Sequence, residues 1–394
     1  MRNAKKGNFK VQDVMVIIGT RPEAIKMAPV MKALQARATG RTILCVTAQH
    51  REMLDQALDI FGLKPDIDMN LMTPGQDLAA LSARVLTGVR DAIRTHKPEA
   101  VLVHGDTSTC LASALAAFYE QVPVGHVEAG LRTYDMAAPW PEEMHRRLVD
   151  PLCRWCFAPT QAAVENLHGE RIAPERVFLT GNTAIDALQM AVARVRNEGT
   201  DSPFCLSPHF GDFSANALDG KRMVLVTGHR RENFGAGFES LCLGLRDIVE
   251  QNSDVVIVYP MHLNPSVRGP VTRLLGGHPR IYLLPPQPYL PFVWLLQKCV
   301  LVITDSGGIQ EEAPSLGKPV LVMRESTERP EAVLVGIAIL VGTDRKRIAD
   351  EATRLLRDPQ AYQEMAGIRN PFGDGKAAGR IVEILSRAIV GNNQ

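Results

Sequence analysis

Short β-branched runs alternate with helical patterns along almost the whole chain, and this alternation limits the possible folds more than any other feature. The runs that read as strands are Val14–Ile18, Thr42–Val46, Ala100–His104, Pro123–Val127, Cys156–Ala158 and Val177–Thr180. After a break come Met223–Val226, Val255–Tyr259, Ile281–Leu284, Val300–Thr304, Val320–Met323 and Ala338–Val341. Strands bounded by Gly, Pro or Asp and separated by helical segments form βαβ units. A series of such units builds a parallel sheet with helices on both faces. Near the end, Ile381, Ile384, Leu385, Ala388 and Ile389 recur at helical spacing.

The break lies between Asn197 and Gly220, where Gly199, Pro203, Pro208, Gly211 and Gly220 leave no periodic apolar pattern. It reads as a linker or covering loop. With 394 residues, more than one domain is expected. We expect one Rossmann-like domain over 1–196 and a second over 197–375, with 376–394 as a C-terminal helix packing back on the first. Two doubly wound α/β domains of this kind, facing a central cleft, direct their strand carboxyl ends and their ligand sites onto that cleft.

Composition narrows the partners. Forty-four basic against 43 acidic residues leave a net charge of +1, which gives no electrostatic reason for nucleic acid or an anionic membrane as partner. Aromatics at 5% argue against a base-stacking platform. The seven cysteines, mostly inside apolar runs, read as buried reduced thiols. Cys153 and Cys156 form a C-x-x-C, but no second pair completes a zinc site, and the motif ends a helical stretch where a redox pair would open one. The apolar run Val14–Ile18 is too short for a secretory signal, and four prolines interrupt the charge-free stretch 281–297. A cytoplasmic protein is expected.

Two junctions have the chemistry of phosphate sites. Gly19-Thr20-Arg21-Pro22-Glu23-Ala24-Ile25-Lys26 follows the first strand, with capping-box spacing between Thr20 and Glu23 and two cations beside a helix N-terminus. Asp305-Ser306-Gly307-Gly308-Ile309-Gln310-Glu311-Glu312 follows a strand of the second half. Its glycines let backbone N–H groups approach a phosphate, and Glu312 is placed to accept ribose hydroxyl protons. Taken alone, the first reads also as a capped helix with solvated basic residues and the second as a plain strand–helix turn; one in each half suits a diphosphate. Gly235-Ala236-Gly237 comes closest to a dinucleotide fingerprint, but Ser240 stands at the third glycine position, so no nicotinamide cofactor is expected. No histidine spacing implies a metal. Asp106, Glu128, Glu142, Glu143 and His229 all read as following strands, where neighbouring carboxylates suit acid–base work. Singly, each reads as a helix cap.

Several blocks together resemble the non-hydrolysing UDP-N-acetylglucosamine 2-epimerases. They are Gly19 to Pro29, Thr47 to Arg51, His104-Gly105-Asp106-Thr107, Gly125 to Arg132, Pro141-Glu142-Glu143, Thr227 to Asn233, Asp305 to Glu312 and Glu328-Arg329-Pro330-Glu331. The similarity spans residues 14 to 390 in the family's order. It implies the two-domain fold shared with many glycosyltransferases (GT-B-like), no cofactor, and a homodimer. It also implies interconversion of UDP-N-acetylglucosamine and UDP-N-acetylmannosamine through UDP elimination, a glycal and re-addition, supplying precursors of cell-surface polysaccharides. Asp106, Glu128 and Glu142 then match catalytic carboxylates, and His229 a catalytic-site histidine. Arg21, Lys26, Gln287, Phe292, Ser306, Gly307, Gly308, Glu312 and Arg329 match positions holding the UDP part. His145 stands where an asparagine is expected, so that its charge would act on Glu142.

Gln49, Arg230 and His262 match a second, activating UDP-N-acetylglucosamine site, which Glu142 borders. Some members carry glutamine and arginine where this chain has Glu52 and Gly75, so weak activation is expected. A glycosyltransferase of the same architecture is the competing reading; a hydrolysing epimerase and a non-enzymatic UDP-sugar sensor are further alternatives.

Overall fold

The computed structural model describes residues 13–37, 40–47, 51–71, 75, 77–197, 210, 213, 215–228, 230 and 235–387. The chain divides into two units, one of Met1–Ala187 with Phe372–Gln394 and one of Leu188–Pro371. It leaves the first unit inside a helix and re-enters at Phe372, so the crossing falls before the Asn197–Gly220 break.

In unit 1 the elements run β1 (Val14–Ile18), α1 (Arg21–Gln35), β2 (Thr42–Val46), α2 (Arg51–Ile60), β3 (Ile67–Asp68), α3 (Leu78–His96) and β4 (Ala100–His104). They continue with α4 (Ser108–Tyr119), β5 (Val124–Val127), α5 (Glu142–Leu152), β6 (Trp155–Ala158), α6 (Gln161–Gly169), β7 (Val177–Leu179) and α7 (Thr183–Asn197). The seven strands are parallel in the order β3-β2-β1-β4-β5-β6-β7. Every residue of β1 and β4 is buried, as continuous β-branched and apolar runs require when both faces of a parallel sheet are covered. Helix α3 shows how local chemistry sets the boundaries. The Asp77 side chain accepts the Ala80 N–H at 2.7 Å to open it, and Lys97 in the left-handed region closes it. Its stripe Leu81, Val85, Val89 and Ala92 enters the core beneath β1, β2 and β4.

Unit 2 repeats the scheme with β8 (Arg222–Thr227), α8 (Ala236–Gln251), β9 (Val255–Pro260), α9 (Pro265–Leu275), β10 (Ile281–Leu284), α10 (Tyr289–Lys298) and β11 (Leu301–Thr304). Then come α11 (Gly307–Glu312), β12 (Val320–Val322), α12 (Pro330–Leu334), β13 (Ala338–Leu340), α13 (Arg345–Arg357) and α14 (Pro359–Ala366). Its six strands are parallel in the order β10-β9-β8-β11-β12-β13. The last helix, α15 (Ala377–Ser386), belongs to unit 1 and packs against α1.

The two sheets with alternating helices are the expected pair of doubly wound α/β folds. The expected strands all form, with ends shifted by a residue at most, and the two-residue β3 is an addition too short to show a period. In both units the order reverses beside the first strand, between β1 and β4 and between β8 and β11. Ligands bind outside strand carboxyl ends at such a reversal.

Six described cysteines, among them Cys153 and Cys156, are buried and unbridged. Burial holds the thiols of that pair above their ordinary range, which leaves them inert. Cys205 lies outside the described residues. No described helix is long and apolar enough to cross a membrane.

Candidate active site

At the unit 1 reversal, the chain turns from β1 into α1 through Gly19. A Cβ there would come within 2.3 Å of Thr109 Oγ1 and 2.6 Å of Thr47 Oγ1, so only glycine fits. Thr20 caps α1 in extended conformation, with Pro22 in the first turn, but its hydroxyl does not take a helix N–H. It donates instead to Glu23 Oε2 at 2.7 Å, and the Gly19 N–H donates to the same oxygen at 3.0 Å. The capping box is thus half-formed, because Glu23 is the hub: its Oε1 accepts from Thr107 at 2.8 Å, across from the start of α4. Burial pushes the Glu23 carboxyl up to about 7, against the pull of these donors. Arg21 is half-buried in the first turn of α1.

Asp106 and Glu128 follow the paired strands β4 and β5. Arg146 Nε and Nη2 donate to Asp106 Oδ2 at 2.9 and 2.6 Å. Lys26 Nζ, one turn into α1 beyond Arg21, meets Glu128 Oε2 at 2.5 Å, and Asn182 Nδ2 donates to the same oxygen at 2.9 Å. Glu128 sits at φ 71°, an uncommon conformation for a non-glycine residue that costs roughly 1–3 kcal/mol. Each carboxylate therefore has its own cation. His104 lies 3.8 Å from Glu128 Oε2, and neither ring nitrogen has a hydrogen-bond partner among the described residues. Burial, with Lys26 and His126 nearby, pushes it down to about 4 despite the attraction of Glu128, so the ring is neutral at physiological pH.

Beneath these residues, His126 Nε2 donates to the Gly105 carbonyl at 2.8 Å while Nδ1 faces Asp150 Oδ1 at 2.6 Å. Arg132 donates to Asp150 Oδ2 at 2.6 Å and to Glu170. Burial alone would raise the Asp150 carboxyl, but the His126 and Arg132 charges outweigh it and hold the group below its ordinary range. The network fixes Gly105, whose φ of +67° turns the chain into Asp106.

Glu142 corrects an expectation. It does not follow a strand but opens α5, after a long connection from β5. Its neighbour Glu143 is fully buried and accepts the Thr133 and Tyr134 N–H groups at 3.0 Å each. His145 donates from Nδ1 to the Asp106 carbonyl at 2.7 Å.

In unit 2 the expected UDP residues gather beyond strand carboxyl ends. Gln287 follows β10 and Phe292 lies in α10; Ser306 caps α11, which carries Gly307, Gly308 and Glu312; Arg329 caps α12 beyond β12. Arg329 pairs with the buried Glu311, and its guanidinium lies over Gly307, where a Cβ would stand 3.8 Å from Cζ. Arg230 donates its N–H to Asp305 Oδ2 at 2.8 Å and reaches Glu328 at 3.4 Å, which Arg324 also meets at 3.4 Å. Burial would raise the Glu328 carboxyl, but these arginines hold it below its ordinary range. His262 is exposed just past β9. Gln49 and His229 lie outside the described residues, as does the side chain of Glu52. Gly75 takes φ +74° with open space around its Cβ position. Among the described residues no three metal-ligating side chains cluster.

The family profile described as UDP-N-acetylglucosamine 2-epimerase matches residues 32–386. The UDP-N-acetylglucosamine 2-epimerase of Escherichia coli (strain K12) is 54% identical over 372 residues, which cover 94% of this chain and 98% of that one. The chain belongs to the UDP-N-acetylglucosamine 2-epimerase family. Family membership makes it an epimerase of a nucleotide sugar. A crystal structure of the Neisseria meningitidis UDP-GlcNAc 2-epimerase, bound to UDP-GlcNAc, superposes with a TM-score of 0.84 at 46% identity, covering 95% of this chain and 99% of that one. The Methanocaldococcus jannaschii UDP-GlcNAc 2-epimerase, in complex with UDP-GlcNAc and UDP, is 31% identical with a TM-score of 0.74, covering 95% and 99%.

Against this family background, the structure brings Asp106, Glu128 and Lys26 together at the unit 1 reversal, and Ser306–Gly308, Glu312 and Arg329 at that of unit 2. Sequence reasoning missed Arg146 and Asn182, and for Glu23 and His104 it saw a capping box and a motif block but not their partners Thr107 and Glu128. Arg146 had a misleading signal, because its i,i+4 spacing suggests a helical pair with Glu142.

Proposed function

We propose that the enzyme interconverts UDP-N-acetylglucosamine and UDP-N-acetylmannosamine without net hydrolysis. Carbon 2 carries no adjacent carbonyl to acidify its hydrogen, so the reaction begins with UDP leaving the anomeric carbon. The C1–O bond pair departs with UDP, a carboxylate takes the C2 proton, and the C2–H pair becomes the C1=C2 bond of a glycal. UDP then adds back to C1 while a proton reaches C2 from the opposite face. The leaving diphosphate needs cations and N–H donors, a task suited to Arg21, Lys26, Arg329 and the Ser306–Gly308 turn. Proton transfer suits Asp106, Glu128 and Glu142, with His229 in support, each general acid or base typically worth ~10²–10⁴-fold. Gln287, Phe292 and Glu312 are assigned to the uridine, and Gln49, Arg230 and His262 to a second, activating substrate molecule.

The observation that carries this reading is the pair Asp106 and Glu128 on adjacent strand ends at the reversal of unit 1, each beside its own cation. We further propose a cytoplasmic homodimer that acts without metal or nicotinamide. Its N-acetylmannosamine nucleotide would be a glycosyl donor for cell-surface polysaccharides.

The test is incubation of purified enzyme with UDP-N-acetylglucosamine alone in heavy water. Epimer formation with deuterium at carbon 2 and UDP retained in the sugar nucleotide is expected. Free N-acetylmannosamine would indicate a hydrolase, and epimerisation without deuterium would remove the elimination route.

A further inference from the structure

We infer that Asn182 is the positioning residue of Glu128. The inference rests on the reading of Glu128 as a proton-transfer group, and it begins from how firmly the Asn182 amide is held. The residue is 2% exposed. Its backbone N–H donates to the Phe372 carbonyl at 2.7 Å. Its Oδ1 accepts the Ala184 N–H at 2.9 Å, in the first turn of α7. With Oδ1 occupied in this way, Nδ2 is the end that faces Glu128, and it donates to Oε2 at 2.9 Å. The flipped amide would set oxygen against carboxylate and lose the Ala184 bond, so the hydrogen-bond network admits one orientation.

The backbone is equally constrained. Gly181 stands at φ +91°, and a Cβ on it would lie 3.4 Å from Gly373 Cα; a Cβ on Gly373 would lie 3.4 Å from the Asn182 nitrogen. Two segments of unit 1 meet here at glycines that both take positive φ, +91° and +143°, a conformation that side chains rarely adopt. The amide is therefore short, buried and anchored to a rigid crossing.

The second donor on Glu128 Oε2 is of a different kind. The Lys26 ammonium ends a flexible four-carbon stem and is 19% exposed. In the proposed reaction it is drawn to the substrate diphosphate. Asn182 is the donor that stays, and it is neutral. An ammonium held permanently on Glu128 would weaken it as a base, whereas an amide fixes its direction without neutralising its charge. A proton-transfer group must be oriented to within a fraction of an ångström. Asn182 supplies that orientation after Lys26 has moved.

The experiment compares Asn182→Asp and Asn182→Ala with wild type, and runs Glu128→Gln beside them, all on UDP-N-acetylglucosamine from pH 6 to 9. Asn182→Asp keeps the acceptor for the Ala184 N–H and the side-chain volume but turns an acceptor toward Glu128. Asn182→Ala loses both bonds. Among the described residues, Lys26 from α1 and His104 from β4 are charged or titratable groups that face Glu128, and both are unchanged in the Asn182 variants.

We expect kcat to fall roughly 10²-fold in Asn182→Asp at high pH and about tenfold in Asn182→Ala, with KM and calorimetric UDP affinity nearly unchanged. The Asn182→Asp deficit shrinks toward pH 6 as the carboxyl pair takes up a shared proton, while the Asn182→Ala ratio is flat. A merely structural role gives the reverse order, with Asn182→Ala at least as impaired at every pH and neither variant altering the profile. That result overturns the inference, as does a parallel collapse of UDP affinity. An active Glu128→Gln removes the reading of Glu128 itself, and the inference with it. If Asn182→Asp does not fold, the split between kcat and UDP affinity in Asn182→Ala decides alone.

Discussion

Glu23 carries the clearest consequence at the scale of single residues. The Thr20–Glu23 spacing announces a helix start, and α1 does start there. The spacing says nothing of Thr107, 84 residues away, whose hydroxyl ties Glu23 to the entrance of α4. Burial leaves its carboxyl at about 7 in the folded protein, against an ordinary value of 4.5. The folded state keeps this proton through that window while the unfolded chain releases it, so the Glu23 contribution is fully present below pH ~4.5 and is lost as pH rises through about 7. At 1.36 kcal/mol per unit, the change across the window is roughly 3 kcal/mol. Glu23→Gln should therefore gain on wild type in urea midpoint as pH rises from 5 to 8. A wild-type-minus-variant difference that stays level with pH would remove Glu23 as the titrating group.

Among the elements, α15 shows how a helix end is completed from far away. Lys376 at its N-cap position offers no side-chain bond. Asp186, in α7, accepts the Ala377 and Ala378 N–H groups at 3.2 and 2.9 Å and does the work of a cap. Burial raises its carboxyl despite those bonds. Asp186→Ala should cost about 1–2 kcal/mol, the usual loss for a cap. It should also speed hydrogen exchange at the start of α15 while leaving α3, with its own Asp77 cap, unchanged. Equal exchange in α15 of both proteins would show that packing on α1 alone holds the helix. Helix α5 makes the converse point: the sequence shows a helical stretch before Cys153, but only its docking decides that Arg146 serves Asp106 and that Glu143 is buried.

At the scale of the molecule, the two units share a strand order although no sequence repeat joins them, because each is a βαβ series that reverses beside its first strand. Lys26 and Asp106 follow the two strands that flank the reversal of unit 1, and Ser306–Gly308 follow one that flanks the reversal of unit 2, whereas Glu142 opens α5 and Gln287 and Phe292 follow the edge strand β10. Regulation is tested on the whole chain. With Glu52 and Gly75 in place of an amide and an arginine, activation by a second UDP-N-acetylglucosamine should be weak, less than about fivefold, at the low end of coupling energies near ~1–3 kcal/mol. Initial rates starting from UDP-N-acetylmannosamine, with and without a trace of UDP-N-acetylglucosamine, read it directly. Near-zero rate without the trace and a steep rise with it would overturn this expectation.

The sequence by itself determined the strands, their parallel pairing and the family, because β-branched runs and motif blocks are local and survive translation into any βαβ series. It also named Asp106 and Glu128. Tertiary structure alone decided who holds them. Lys26 and Glu128 are 102 positions apart, Asn182 and Glu128 are 54, and Arg146 and Asp106 are 40. Periodicity carries no information at those separations. A carboxylate's partner is set by which loops the sheet order brings to one strand end, and by how burial then prices its charge.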